Sequence, residues 1–208
     1  MGGGDMVSGA PAAVNGGLIV GRELRELVME AIDLAIPTQK RTNNVPSWGL
    51  GPAGYDVRLR QLMVRQFALA DPGEAADPQL IDPMDDSQGP YISLPIGVAK
   101  DGRDYVIISP RAAVYAETVE AFDIPDDVLV LPVGKSTYTR HGLALLATPF
   151  EPGWRGWPRV TLVNTTDRPI KYYLGGGGMQ CLFFRVPGAT AYDGRYQDQQ
   201  PTQDGRSA

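Results

Sequence analysis

VLVLPVGKSTYTRHGLALLATPFEPGWRGWPRVTLVN, residues 128–164, strings together three short apolar runs joined by polar, Gly- and Pro-containing segments. The runs are Val128–Val133, Leu143–Thr148 and Arg159–Asn164. Runs this short, rich in Val, Leu and Thr and bounded by turn residues, read as strands. The same texture continues outward: Tyr55–Phe67, Tyr105–Ser109 and Ala113–Phe122 precede it, and Ile170–Leu174 and Met179–Val186 follow. In the second half the strands recur about every ten residues, which is the pattern of a sandwich or barrel and not of βαβ units. The expected fold class is therefore all-β (mainly β), a compact barrel.

A single stretch has a helical period. Leu18, Leu24, Leu27, Val28, Ala31, Ile32 and Ala35 recur at three- and four-residue steps, with Arg22, Glu23, Arg25, Glu26 and Glu30 between them. This predicts an N-terminal helix within Leu18–Ile36, stopped by Pro37. Met1–Asn15 is Gly- and Ala-rich without a charged start, so it reads as a loose extension and not as a secretory leader. Thr42–Gly54 is turn-rich, and Asp71–Gln88 is acidic, Pro-containing and aperiodic, which reads as a long loop or insertion. From Ala189 the chain is polar and Gln-rich. It is too poor in apolar surface to fold alone and is expected to be disordered, or ordered by a ligand or partner. The expected organisation is an extension over 1–16, one barrel domain over 17–188 and a tail over 189–208.

Composition narrows the chemistry. The chain has 208 residues, a net charge of −5, one His and one Cys. No window of eighteen consecutive apolar residues occurs, so no membrane span is expected. The lone Cys181 cannot form an intramolecular disulfide; it reads as a small buried apolar residue of a protein in a reducing, cytoplasmic compartment. An acidic balance argues against a nucleic-acid binder held by a basic face, but not against a small anionic ligand. A zinc-dependent deaminase needs a His/Cys/Cys or three-Cys site, which one His141 and one Cys181 cannot supply. No G-x-S-x-G surrounds a serine. Gly175–Gly178 lacks the context of a dinucleotide fingerprint and reads as a flexible hairpin turn.

The segment Gly134-Lys135-Ser136-Thr137-Tyr138-Thr139-Arg140 is built for an anion. Gly134 lets backbone approach a ligand, two hydroxyls and the backbone amides can donate to phosphate oxygens, and Lys135 and Arg140 bring positive charge. No glycine lies five residues earlier and no helix is expected to follow, so the likeness to a Walker A motif is superficial. A solvated turn is the bland alternative.

The run GKSTYTRHGL, Gly134–Leu143, resembles the phosphate-binding segment of the dCTP deaminases. AGYDVRL at 53–59, VYAETVEAFDIPDDVLVLPVGKSTY at 114–138, TPFEPGWRG at 148–156, VNTT at 163–166, MQCLFF at 179–184 and GRYQDQQ at 194–200 are similar to that family in the same order. The resemblance covers residues 17–200. It implies a dUTPase-like distorted β-barrel or jelly roll, homotrimeric, with three sites at subunit interfaces. It also implies a deoxynucleoside triphosphate ligand, dCTP or dUTP, with Mg²⁺ carried on its phosphates and no zinc. By the same resemblance, Lys135, Ser136, Thr137 and Arg140 face the phosphates and the reacting water. Glu151 sits near the deoxyribose, and Arg159, Val160 and Thr161 run along the base. Arg195, Gln199 and Tyr192 come from a tail that closes over the triphosphate.

One departure matters. The family carries its proton-shuttling glutamate on the strand after the W-x-G turn. Aligning TPFEPGWRG and VNTT without a gap puts Thr161 there; aligning VTL instead deletes the glutamate. Either register leaves no acid between Glu151 and Asp167. A hydroxyl pKa is far too high for a shuttle, and general acid–base help is worth about 10²–10⁴ in rate. Three readings follow: a deaminase, dCTP + H2O to dUTP + NH3, with a relocated acid; a dUTPase-type hydrolase in which Glu151 orients a water; or a nucleotide-binding regulator without turnover. Asp56 reads as a structural carboxylate near the site, His141 as a structural or surface group, and Trp154 and Trp157 as packing residues.

Overall fold

The computed structural model describes residues 16–41, 45–65 and 91–202. The expected extension over 1–16, apart from Gly16, and the loop over Asp71–Gln88 lie outside them. In chain order the elements are β1 (Gly17–Leu18), α1 (Gly21–Ala31), β2 (Gly49–Leu50), β3 (Tyr55–Arg65), β4 (Tyr91–Ser93), β5 (Gly97–Val98), β6 (Asp104–Ile108) and β7 (Ala113–Thr118). Then come β8 (Phe122–Asp123), β9 (Val128–Gly134), α2 (Ser136–Thr139), β10 (Leu143–Leu146), β11 (Arg155–Gly156), β12 (Arg159–Asn164), β13 (Ile170–Tyr173) and β14 (Gly177–Arg185). The protein is mainly β, as its sequence texture predicts. The backbone of the fold is one curled sheet ordered β1-β14-β3-β7-β12-β10, with β2 and β4 paired to β3 and β9 to β14. A β13-β6-β5 sheet and a β11-β8 pair complete the distorted barrel.

Two-residue alternation decides what faces inward. In β12, Val160, Leu162 and Asn164 are buried while Arg159, Thr161 and Val163 stay partly open. Val106 and Ile108 of β6 and Tyr172 of β13 join Val57, Leu59, Val114 and Leu162 in one core, so the smaller sheet packs onto the curled one. Cys181 is fully buried there, and burial pushes its thiol pKa well up, which leaves an inert apolar filler. Pro132 is tolerated in β9 because that strand pairs along its length only with β14. On its other side β9 makes a single bridge, Val130 to Phe150.

Helix α1 presents Leu24, Leu27, Val28 and Ala31 to the core, spaced as expected. It is shorter than the predicted Leu18–Ile36, and Pro37 is not what ends it. Leu18 is taken by pairing to Phe184. At the other end Ile32 bridges Phe122, and the Asp33 amide donates to the Ala121 carbonyl at 2.9 Å. Strand pairing prevails over helix propagation at both ends.

The glycine run 175–178 is not a flexible turn. Gly175 turns, but Gly177 and Gly178 belong to β14 and are buried. A Cβ at Gly177 would strike the Ser47 carbonyl, and one at Gly178 would strike Tyr172 and Leu59. Close backbone packing, not conformational freedom, fixes glycine there.

Candidate functional site

Strand β12 is flanked by β10 and β7, with Leu146 and Tyr115 opposite Thr161 and Glu117 opposite Arg159. Opposite residues share a face, so Thr161 and Arg159 point away from the core on one side of the sheet. Above them lies a cavity of about 610 Å³. Glu151, Arg159, Val160, Thr161, Tyr192 and Gln199 all line it. Val160 does so although alternation buries its side chain to 2% exposure. Glu151 is the one carboxylate in this lining.

The roof of the cavity is the tail. The Tyr192 amide donates to the Pro152 carbonyl at 2.8 Å, and the Trp154 indole N–H donates to the Tyr196 carbonyl at 2.7 Å. The Trp157 amide donates to the Gln199 carbonyl at 3.0 Å, and Arg155 pairs with Asp198 at 2.9 Å. Gly156, at φ +136°, lets Gln199 lie against it, since a Cβ there would come within 2.6 Å of the Gln199 carbonyl oxygen. Residues 189–202 thus dock on the chain's own Trp-Arg-Gly-Trp turn. The tail, expected to be disordered or ordered by a ligand or partner, lies docked on this turn, whose backbone and indole groups pair with the Gln-rich sequence. Trp154, 7% exposed and against Phe150, is both packing and tail anchor.

Beneath the roof sits Glu117, fully buried. Arg60 Nε donates to it at 3.1 Å and Arg159 Nε at 3.1 Å. The Thr202 amide and hydroxyl donate at 2.8 and 2.7 Å. Burial alone would raise its pKa. The donors from Arg60, Thr202 and Arg159 outweigh burial and hold it below the ordinary glutamate value. Glu120 shows the opposite balance: burial prevails over the hydrogen bonds from Arg58 and lifts its carboxyl. Glu117 was missed from sequence. The alternation of AVYAET places it on the outward face, but only pairing of β7 with both β3 and β12 brings Arg60 and Arg159 to it.

The other expected residues lie elsewhere. Contrary to expectation, a one-turn helix, α2, follows Lys135. The Lys135 ammonium ion-pairs with Asp56, 1% exposed, and donates to Ser47 Oγ at 3.2 Å. Asp56 also accepts from Gln39 at 2.7 Å, which makes it the structural carboxylate expected. Ser136, Thr137 and Arg140 are exposed. His141 holds the Thr137 carbonyl through Nδ1 at 2.7 Å, a structural contact. Because β10 pairs Leu143 with Asn164 and Leu146 with Thr161, the α2 turn and Thr161 sit at opposite ends of β10. That is about 10 Å along a strand. Within one chain, Thr161 is therefore not beside Ser136 and Arg140. Arg195 lies outside the cavity lining, its guanidinium 5.9 Å from the Tyr196 ring centre.

Residues 21–186 match a family model described as dCTP deaminase-like. The dCTP deaminase of Anaplasma phagocytophilum is 38% identical over 145 residues, covering 70% of this chain and 71% of that protein. The dCTP deaminase of Acidobacterium capsulatum is 33% identical over 184 residues, covering 86% and 93%. Among solved structures, the 2'-deoxycytidine 5'-triphosphate deaminase from Agrobacterium tumefaciens superposes with a TM-score of 0.53 at 16% identity. That superposition covers 82% of this chain and 48% of the other, and it speaks for the fold.

Proposed function

Because this chain belongs to the dCTP deaminase-like family, we propose that it binds dCTP and replaces the C4 amine with oxygen: dCTP + H2O to dUTP + NH3. The observation that carries this reading is the cavity of about 610 Å³. It gathers Glu151, Arg159, Val160, Thr161, Tyr192 and Gln199, chosen from separate motifs, into one wall and roof. Glu151 takes the sugar, Arg159, Val160 and Thr161 of β12 run along the base, and the tail covers the ligand. The phosphates go to the α2 turn, with Arg140, Ser136 and Thr137 as donors.

The proposed assembly is the homotrimer that the family resemblance implies, and the split in the site supports a site shared between copies. Sugar and base residues lie at one end of β10 and phosphate residues at the other, so a second copy must bring its α2 turn to the cavity. Light scattering with dCTP present should give three times the chain mass; a monomer at micromolar concentration sinks the shared-site reading. Mg²⁺ would ride on the triphosphate and neutralise part of its charge. The described residues offer no cluster of three or more His, Cys, Asp or Glu to hold a resident ion. No described helix is long and apolar enough to cross a membrane, and the cytoplasm, where free dCTP is found, is the proposed location.

With a hydroxyl at Thr161, turnover should be slow, and the proton transfers fall to groups that reach the cavity. The deciding experiment incubates the full chain with each dNTP and Mg²⁺, then resolves base, phosphate and ammonia products and measures binding in parallel. Ammonia and dUTP from dCTP are expected. Release of pyrophosphate without ammonia overturns deamination, as does tight binding without any product.

A further inference from the structure

A second cavity, of about 870 Å³, lies beside α2. Arg41, Arg168 and Lys171 line it, with the hydroxyls of Ser47 and Thr137. No Asp or Glu is in that lining, although the chain carries 24 acids against 19 Lys and Arg. Asp167, next in sequence to Arg168, is turned onto Arg111 at 2.6 Å. Among the described residues, the Arg168 guanidinium has no hydrogen bond or ion pair, and the Lys171 ammonium rests over the Tyr105 ring at 4.1 Å and the Tyr173 ring at 5.9 Å without an acid partner. Ser47 accepts from Lys135 at 3.2 Å, so its own proton is free to be donated.

The frame that presents these groups is stiff. Asn164, fully buried, accepts from the Thr166 amide at 2.9 Å and donates to the Arg168 carbonyl at 2.8 Å, fixing the turn that carries Arg168. Tyr138 stacks on Tyr172 at 4.4 Å and donates to the Tyr173 carbonyl at 3.3 Å, fixing α2 against the strand that carries Lys171. Cations around one cavity, two of them on fixed segments, with hydroxyls in the same lining and no acid there to neutralise them, suit an anion with several charged centres.

We propose that this cavity is a polyphosphate site, in which Arg41, Arg168 and Lys171 supply the charge and Ser47 and Thr137 the hydroxyl donors. The site stands on its own cavity and shares only Thr137 with the deaminase reading. The ligand is a free polyphosphate or the phosphates of a second nucleotide, bound apart from the substrate's own triphosphate.

Titration calorimetry of the full chain with inorganic tripolyphosphate tests it. Wild type should bind, and Arg168→Ala combined with Lys171→Ala should weaken binding at least tenfold. Arg41→Ala, on a different segment, should act in the same direction, and it keeps the test decisive if the double variant misfolds. Tripolyphosphate affinity unchanged within twofold in both variants overturns the proposal, as does no binding by wild type at millimolar concentration. Titration with dCTP then identifies the source. One dCTP per chain, weakened in the double variant, assigns these cations to the substrate's own phosphates and overturns the proposal of a separate site. Two per chain, of which the double variant loses one, assigns it to a second nucleotide. If no deamination is detected while tripolyphosphate binding still depends on these cations, the function assigned above fails and the polyphosphate site stands.

Discussion

The cavity under the tail and the α2 turn are built on opposite plans. Under the tail, polar groups are matched internally: Glu117 takes donors from Arg60, Arg159 and Thr202, and the tail's Gln199 and Tyr196 carbonyls are used by Trp157 and Trp154. At the turn, Lys135 is bound to Asp56, but Arg140, Ser136 and Thr137 stand exposed. One region has its polar groups paired within the chain; the other displays donors and a positive charge to solvent, open to a ligand or another chain. The residues proposed for sugar and base and those proposed for phosphate are thus segregated along β10, and the proposed activity depends on bringing the two together.

The largest effect should come from breaking the matched region. Glu117→Ala removes a buried acceptor shared by Arg60, Arg159 and the tail. Losing one partner of a buried charge network costs about 3 kcal/mol or more, and both arginines are partly open to water, which favours the lower figure. Urea unfolding should show that loss, and hydrogen exchange should quicken at 199–202. Unchanged exchange in the tail would mean Glu117 does not hold it.

Next is Thr161→Glu, which asks whether the two regions meet on assembly. If a neighbouring α2 turn reaches the cavity, Arg140 will keep the new carboxylate ionised and dCTP deamination should rise by up to about 10²-fold. A variant that binds dCTP and stays inert would show that the regions do not meet, or that the pocket serves another base.

Arg140→Ala should act on binding alone at the exposed region. Losing one charge-assisted contact should weaken dCTP binding by roughly 1.5–3 kcal/mol, with stability unchanged. Equal affinity for every dNTP would remove the turn from the site.

The smallest effect is a pH effect. Glu117 has a folded pKa below its ordinary value, so its stabilisation is complete above the ordinary glutamate range and is lost as pH falls through the folded value. Tail exchange should therefore quicken on acidification below that range, and Glu117→Gln should abolish the dependence. Glu120, shifted upward, works in the opposite sense: its contribution is full below the ordinary value and declines as pH rises through the folded one.

The sequence by itself determined the mainly β class and the longer strands, because short apolar runs bounded by turn residues, such as RVTLVN, suit strands; the two- and three-residue strands β1, β2, β4, β5, β8 and β11 are too short to carry a period of their own. It read Cys181 as a buried apolar residue and Asp56 as a structural carboxylate, while the residues carried over by the family resemblance divide, with Glu151, Arg159, Val160, Thr161, Tyr192 and Gln199 lining the cavity and Ser136, Thr137 and Arg140 outside it. Only the tertiary structure decided where α1 ends, because pairing of Ile32 with Phe122 competes with the helix from ninety residues away. It alone showed Glu117 as the hub beneath the tail, because its partners Arg60, Arg159 and Thr202 come from distant strands and a polar terminus. And it alone separated Thr161 from Arg140, because residues close in sequence are set apart by the register of β10 against β12. Periodicity reports what a strand faces; it carries nothing about which other strand stands beside it.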